Sequence, residues 1–423
     1  MERDRSKVVI VGAGFGGLWA AKALRHTAVD VTLIDRNNYH TFFPLLYQVG
    51  AAELAPDNIA KPVRSILRKI RNANFLMTEV TDIDLDSKTV FADHLSIPYD
   101  YLILATGSVT NYFGVPGAAD HAFPLRTLQQ GVNLRNHILV QFEKAVSETD
   151  PEVRKRRLTF AVVGGGPTGV EFSGALSELV HGPLRRDIPT LNMAETKVIL
   201  FEATGSLLPG LPERLRDYTL KRLSRLNVDV QLHSTVSNVS SGAVELADGT
   251  VIFTETVVWT AGVRGGETES NWGIPTGKGG RIRVLPSLQI EGRPEVSVVG
   301  DLAEIDGAEK EPPMVAPAAV QQGATAALNI RRHLAGAPIL PFRYRDRGAM
   351  AVIGRNAAVA HLFNRWQLIG FLGWITWLAV HLYQLIGFRN RLVVLINWGW
   401  SYVFLDRALR LIFPPHKHML DLR

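Results

Sequence analysis

Two glycine turns, Gly12-Ala13-Gly14-Phe15-Gly16-Gly17 and Gly164-Gly165-Gly166-Pro167-Thr168-Gly169, each follow a short β-branched run, at 8–11 and 160–163. A strand, then glycines, then a helix aims unpaired backbone N–H groups and the positive end of a helix dipole at a pyrophosphate, and glycine lets the main chain approach it. One such turn is a weak signal, but two in the right context imply two dinucleotides. Asp35 ends the apolar strand 31–34, 23 residues after Gly12, and Glu202 ends the strand 197–201. A carboxylate there accepts ribose hydroxyls. Glu202 would also repel a 2′-phosphate, so NADH is expected over NADPH.

A second internal match implies duplication. Ala105-Thr106-Gly107 ends the strand 101–104 and Thr260-Ala261-Gly262 ends 257–259, at offsets of 95 and 98 from Gly12 and Gly164. Self-similarity on that scale argues for two similarly built domains, one nested in the other, rather than small repeats. The expected fold is α/β: two Rossmann-like dinucleotide-binding domains of the two-dinucleotide-binding flavoprotein type, followed by a C-terminal amphipathic helical membrane-anchoring region. The expected boundaries are 1–110 with 265–335 for a discontinuous FAD domain, 111–264 for an NADH domain and 336–423 for the anchor.

The elements that must position these turns are a helix at 18–25, a loop and helix through 58–69, an antiparallel insertion at 74–85 and 88–91, and a leading helix at 126–146 for the second domain. The charged stretch 148–157 reads as a surface connection. The apolar strand 296–299 ends in Gly300-Asp301 and a Pro-rich loop leads to a helix at 317–334, with Pro317 at its first turn.

At 423 residues and 46% hydrophobic, the chain holds enough apolar surface for two to three domains. It has no cysteine, which excludes disulfides, thiolate metal sites, iron–sulfur clusters and a redox thiol pair. No metal is expected. Met1 to Lys7 carries no apolar signal region, so the catalytic body is expected to stay cytoplasmic. The net charge of +6 is uneven: from Pro341 onward eleven Arg or Lys face three Asp, and five of the eight Trp fall there. Basic charge mixed with Trp and aliphatic residues suits an anionic membrane surface and is too apolar for a nucleic-acid face.

Residues 366–388 carry no Asp, Glu, Lys or Arg and are long enough to span a bilayer. Helical spacing, however, puts Gln367, Trp374, Trp377, His381 and Gln384 on one face and Leu368, Leu372, Ile375, Ala379, Leu382 and Ile386 on the other. A two-faced helix is expected to lie in the interface. Residues 392–405 make about half a span, and 402–413 reads as amphipathic with Asp406, Arg407 and Arg410 on its polar side.

With FAD and NADH in paired domains, hydride transfer needs orientation more than a protein acid or base. Disulfide reductases pass electrons on through cysteines. This chain has none, so the acceptor must meet the flavin directly, and the membrane-docking tail points to a quinone. Left open beside this are a reductase of a soluble electron carrier and a non-catalytic membrane-bound FAD/NADH sensor.

The sequence resembles the type II NADH:quinone oxidoreductases, the single-subunit, non-proton-pumping NADH dehydrogenases. The resemblance runs through the flavin turn, Asn38 to Gln48 (NYHTFFPLLYQ), Ala105-Thr106-Gly107, Gly166 to Glu171 (GPTGVE), Trp259 to Val263 (WTAGV), Val299-Gly300-Asp301, Gln321-Gln322-Gly323 and Phe342 to Gly348 (FRYRDRG). Where the family commonly has Ala-Gln, this chain has Ala316-Pro317.

The resemblance implies FAD contacts from Gly12, Gly14, Gly16, Gly17, Asp35, Arg36, Tyr39, His40, Val80, Ala105, Thr106, Gly107, Asp301, Ala316, Pro317 and His381. It implies NADH contacts from Gly164, Gly166, Pro167, Thr168, Gly169, Glu171, Glu202, Ala261 and Gly262, and a quinone site at Tyr47, Gln48, Gln321 and Gln322. Glu171, just past the last glycine, reads either as a helix-dipole acid or as a catalytic group near the nicotinamide and acceptor. A pyrophosphate already serves that helix end, which favours catalysis. The expected assembly is a homodimer.

Overall fold

The structure is a computed structural model that describes residues 5–266, 272–307, 311–404, 407 and 409–412. It has two compact units: Met1–Thr41 with Lys61–Val109 and Val263–Arg345, and Phe42–Ala60 with Thr110–Gly262 and Asp346–Arg423.

The first unit is built on a six-stranded sheet in the order Gln289–Ile290, Arg293–Val298, Tyr101–Leu104, Ser6–Val11, Val29–Asp35, Ala73–Met77. Apart from the first pair its neighbours run parallel, and Tyr101–Leu104 is buried along its whole length, as a strand covered on both faces must be. The helix Phe15–Ala23 packs on the helix Ala316–Leu334 with almost no space between the backbones: a Cβ at Gly323 would lie 2.2 Å from the Gly16 carbonyl oxygen.

The second unit repeats the plan with a parallel sheet in the order Phe123–Pro124, Thr256–Trp259, Thr159–Val163, Lys197–Phe201, Val228–Gln231. The glycine-turn strand lies between its carboxylate strand and its Ala-Gly strand in both units, which is the duplication read from the sequence. A three-stranded antiparallel sheet (Gly348–Val352, Ala358–Leu362, Trp366–Ile369) and the helices Gly370–Gln384 and Phe388–Phe404 complete this unit.

Several expected elements change. Residues 73–77 join the main parallel sheet, pairing Val31 with Ala73 and Asp35 with Met77, and only Val80–Asp84, Thr89–Ala92 and Leu95–Pro98 form an antiparallel meander. The helix expected through 58–69 is split into Pro56–Ile59 and Val63–Leu67, because Pro62 removes an N–H donor and turns the preceding residue toward extended backbone. The stretch expected as a surface connection holds a helix, Pro151–Arg157, whose N-cap Asp150 accepts from the N–H groups of Glu152 and Val153.

Residues 366–388 do not form one helix. Gly370, at φ 64°, ends the strand and opens a 15-residue helix, and no helix among the described residues is long and apolar enough to cross a membrane. That helix is two-faced along the stripes read from its spacing. Trp377 and His381 are buried, whereas Phe371, Leu372, Ile375 and Tyr383 face outward, Leu372 at 68% exposure. The next helix continues this surface with Leu392, Leu395, Ile396, Trp400 and Val403. Of the amphipathic stretch expected at 402–413, 402–404 belong to the preceding helix, which ends at Phe404; Arg407 is buried rather than solvated, and 405, 406, 408 and 413 lie outside the described residues.

Candidate active site

Both glycine turns are built alike, and each glycine has its own reason. Gly12 and Gly164 sit at φ 104° and 110°, with the Ala105 carbonyl oxygen 2.4 Å and the Ala261 Cα 2.5 Å from where a Cβ would stand. A Cβ at Gly17 or Gly169 would lie 1.9 Å from the carbonyl oxygen of Gly12 or Gly164, respectively. At Gly14 and Gly166, by contrast, a Cβ meets nothing within 4 Å. These two are the N-caps of the helices Phe15–Ala23 and Pro167–Leu179; neither helix has a side-chain cap or an acid in its first turn. Uncapped N–H groups facing open space are a cradle for a phosphate. Asp35 accepts from the N–H groups of Ala13 and Asn37, both at 2.7 Å. Glu202 accepts from Gly165 N at 2.7 Å and from Thr204. Each acid thus clamps its own turn. The residues present fit two dinucleotides.

Around the first turn, the His40 ring is buried against Phe15 and its Nδ1–H donates to the Ala13 carbonyl at 2.9 Å. Since that carbonyl can only accept, the His40 Nε2 carries the lone pair, and it is buried without a protein partner. Burial lowers its pKa to about 4, so the ring is a neutral acceptor for a ligand hydroxyl or amino group. Asp301 is buried and accepts from Ser108 Oγ at 2.6 Å. Ala316 and Pro317 start a helix that also lacks a side-chain cap. Val80 is buried, Tyr39 half-buried, and Arg36 and Thr106 exposed.

The two glutamines assigned to quinone belong to the first unit, and their amides are engaged by the main chain. Gln321 exchanges a pair of hydrogen bonds with the N–H and C=O of Arg345, at 3.0 and 3.1 Å. Gln322, buried, accepts from Gly300 N–H. Both amides thus brace loops of the first unit.

In the second unit Glu171 sits one residue beyond the first turn of its helix, so the dipole reading loses its basis. Its carboxyl is buried, accepting from Val352 N–H and from the Trp377 indole N–H, each at 3.2 Å. Burial pushes its pKa up to about 8, with those two donors acting the other way. Glu171 is therefore predominantly a neutral carboxylic acid at pH 7. His381 stacks on Trp377 at 4.1 Å, its Nδ1 2.8 Å from the Trp377 carbonyl, and burial lowers its pKa to about 4. Tyr47 lies edge-on to Trp377. Its hydroxyl accepts from Gln48 Nε2 at 2.9 Å, while Gln48 Oε1 accepts from the Trp398 indole at 3.0 Å.

Tyr47, Gln48, Glu171, Trp377 and Trp398 open on one cavity of about 430 Å³, which also holds Glu53, Glu178 and Arg407. Those three, with Trp377 as the donor to Glu171, are residues the sequence reading missed. Trp377 had a signal in its helical stripe with His381. Arg407 had none, since its partners lie hundreds of residues away.

A family model described as pyridine nucleotide-disulphide oxidoreductase matches residues 6–323, and one described as NDH2 C-terminal domain matches residues 347–405. Fold and site thus define a pyridine nucleotide-dependent flavoprotein, in this case without a single cysteine. The type II NADH:quinone oxidoreductase Ndh of Mycobacterium tuberculosis is 39% identical over 96% of this chain and 89% of its own length. A type II NADH:quinone oxidoreductase of Staphylococcus aureus is 32% identical over 86% and 92%. The chain belongs to the type II NADH:quinone oxidoreductase family. The solved structure of NDH2 from Plasmodium falciparum in complex with NADH shares the fold, with a TM-score of 0.89 at 21% identity over 97% of this chain and 100% of that one.

Proposed function

We propose that the first glycine turn holds FAD and the second holds NADH, and that a quinone receives the electrons beside Glu171. The chain is a membrane-associated flavoenzyme that oxidises NADH and reduces quinone to quinol without pumping protons. FAD supplies the two-electron carrier chemistry when bound. The observation that carries this reading is the pair of matching uncapped cradles, each clamped by its own acid, in a chain with no thiol to pass electrons onward.

The FAD contacts proposed are the turn glycines, Asp35, His40, Ala105 to Gly107, Asp301 and the start of the Ala316–Leu334 helix. For NADH they are Gly164 to Gly169, Ala261, Gly262 and Glu202, whose charge disfavours a 2′-phosphate. Tyr47 and Gln48 are proposed to line the quinone site. Reducing a quinone takes two electrons and two protons, while NADH brings two electrons and one proton's hydrogen as hydride. We assign the remaining proton to the Glu171 carboxyl, with His381 and Trp377 holding it in place. The outward apolar face of the last two helices rests in the lipid interface on the cytoplasmic side, and the assembly is a homodimer of the 46.6 kDa chain.

Anaerobic addition of NADH, then NADPH, then a short-chain quinone tests this directly. NADH should bleach the flavin much faster than NADPH, and quinone should restore its absorbance. A flavin that bleaches but is not reoxidised by quinone would remove the quinone assignment, and no bleaching would return the chain to the sensor reading.

A further inference from the structure

Glu171 must be reprotonated after every turnover, and it is buried. Seven residues further along the same helix is Glu178, on the same face and about 10 Å away along the axis. Both line the 430 Å³ cavity, as do Tyr47 and Gln48. Glu178 also meets Arg407 at 3.4 Å, and the same guanidinium is 3.9 Å from Glu53. Arg407 is 5% exposed, against 19% for Glu53 and 25% for Glu178. Its other nitrogen donates to the carbonyls of Ala51 and Ala175 at 2.8 and 2.9 Å, which fixes it between the two acids.

The charge count around this group is informative. Arg355 directs its guanidinium to the Ser401 carbonyl and lies over the Tyr402 ring, while its backbone N–H donates to Glu178. Arg222 donates to the carbonyls of Ile353 and Arg355. His181 and Arg225 line the cavity farther along the chain from Glu171. Arg407 is therefore the one cation in ion-pair contact with both carboxylates among the described residues. With both ionised, the triad is net negative in a partly buried setting; one proton on the pair makes it neutral. Burial raises the pKa of Glu53, with Arg407 opposing.

We propose that Glu53, linked to Glu178 through Arg407, holds a proton and passes it through the cavity to Glu171 during quinone reduction. This rests on Glu171 being the donor to quinone. The balance is simple: the Glu171 O–H breaks as a quinol O–H forms, leaving a carboxylate; the proton held at Glu53 restores the Glu171 carboxyl; and solvent refills the cluster past Glu178, the most exposed of the three. A cavity of this volume has room for several waters, each taking about 30 Å³, to bridge the span.

The test follows the two half-reactions of the purified holoenzyme separately by stopped flow, with an indicator dye reporting proton uptake. Glu178→Gln should leave NADH bleaching of the flavin within about twofold, and slow reoxidation by a short-chain quinone and the coupled proton uptake about tenfold or more above neutral pH. Added formate, or Glu178→Asp, should restore much of the rate, and Glu53→Gln should act in the same direction. Wild-type reoxidation in Glu178→Gln, with an unchanged solvent isotope effect, would overturn this proton route. So would a slowing that neither formate nor Glu178→Asp repairs, since that marks a structural role. If Glu171→Gln itself reoxidises at the wild-type rate, the donor assignment falls instead.

Discussion

The indole N–H of Trp377 donates to the carboxyl of Glu171 at 3.2 Å, joining residues 206 apart in sequence. This contact ties the C-terminal helix to the helix that follows the second glycine turn, and so places a neutral acid where the tail meets the nucleotide fold. It also opposes the upward pull of burial on the Glu171 pKa.

Trp377→Phe keeps the ring but deletes the donor. The Glu171 pKa should rise further, moving the alkaline limb of the pH profile for quinone-dependent flavin reoxidation to higher pH. A limb that stays in place or moves down would separate Glu171 from that titration.

Glu171 also links stability to pH. Its pKa is raised from 4.5 to about 8 on folding, so the folded state binds more protons than the unfolded one between those values. The stability this group contributes is complete below about pH 4.5 and is lost as pH rises through about 8. Glu171→Gln should flatten the fall in denaturant midpoint across that window, measured on holoenzyme from pH 5 to 8.5, and an unchanged slope would contradict the assignment.

Gly14 and Gly17 should part company. A Cβ at Gly14 meets no protein atom within 4 Å, and its φ of −71° suits alanine, so Gly14→Ala should fold normally yet lose FAD affinity. Gly17→Ala would drive a Cβ to 1.9 Å from the Gly12 carbonyl oxygen; overpacking of that kind costs about 1–3 kcal/mol or more. Flavin content and apoprotein melting temperature distinguish the two, and Gly166→Ala against Gly169→Ala should repeat the contrast for the KM of NADH.

Replacing Glu202 removes negative charge from the second ribose position. Glu202→Gln should narrow the preference for NADH over NADPH by about tenfold, on the scale of one like-charge contact. The measurement is kcat/KM for both donors, and an unchanged ratio would place the discrimination elsewhere.

The outward apolar side chains of the last two helices should govern membrane binding without supporting the core. Leu372 and Leu395 are 68% and 52% exposed, so Leu372→Glu with Leu395→Glu should leave flavin content and thermal stability nearly unchanged. Flotation with anionic liposomes should fall about tenfold or more, since a carboxylate is costly in the interface.

By itself the sequence determined what local chemistry can write. Glycine spacing after a β-branched strand, an acid at the next strand end and the matching Ala105 and Ala261 motifs settle the doubled nucleotide fold, because each depends on residues close together or on backbone rules that only glycine satisfies. The missing cysteines removed every thiol relay without any coordinates. Tertiary structure decided the rest. Periodicity divides a helix into two faces but does not say which one the protein covers; only the fold turns the stripe of Trp377 and His381 inward. That Gln321 and Gln322 also bond the main chain at Arg345 and Gly300 was not legible in the sequence. Arg407 looked like a solvated tail charge, and only folding brought Glu53 and Glu178 to it: a side chain's ionisation and use depend on burial and partners, and those are set by segments far apart in the chain.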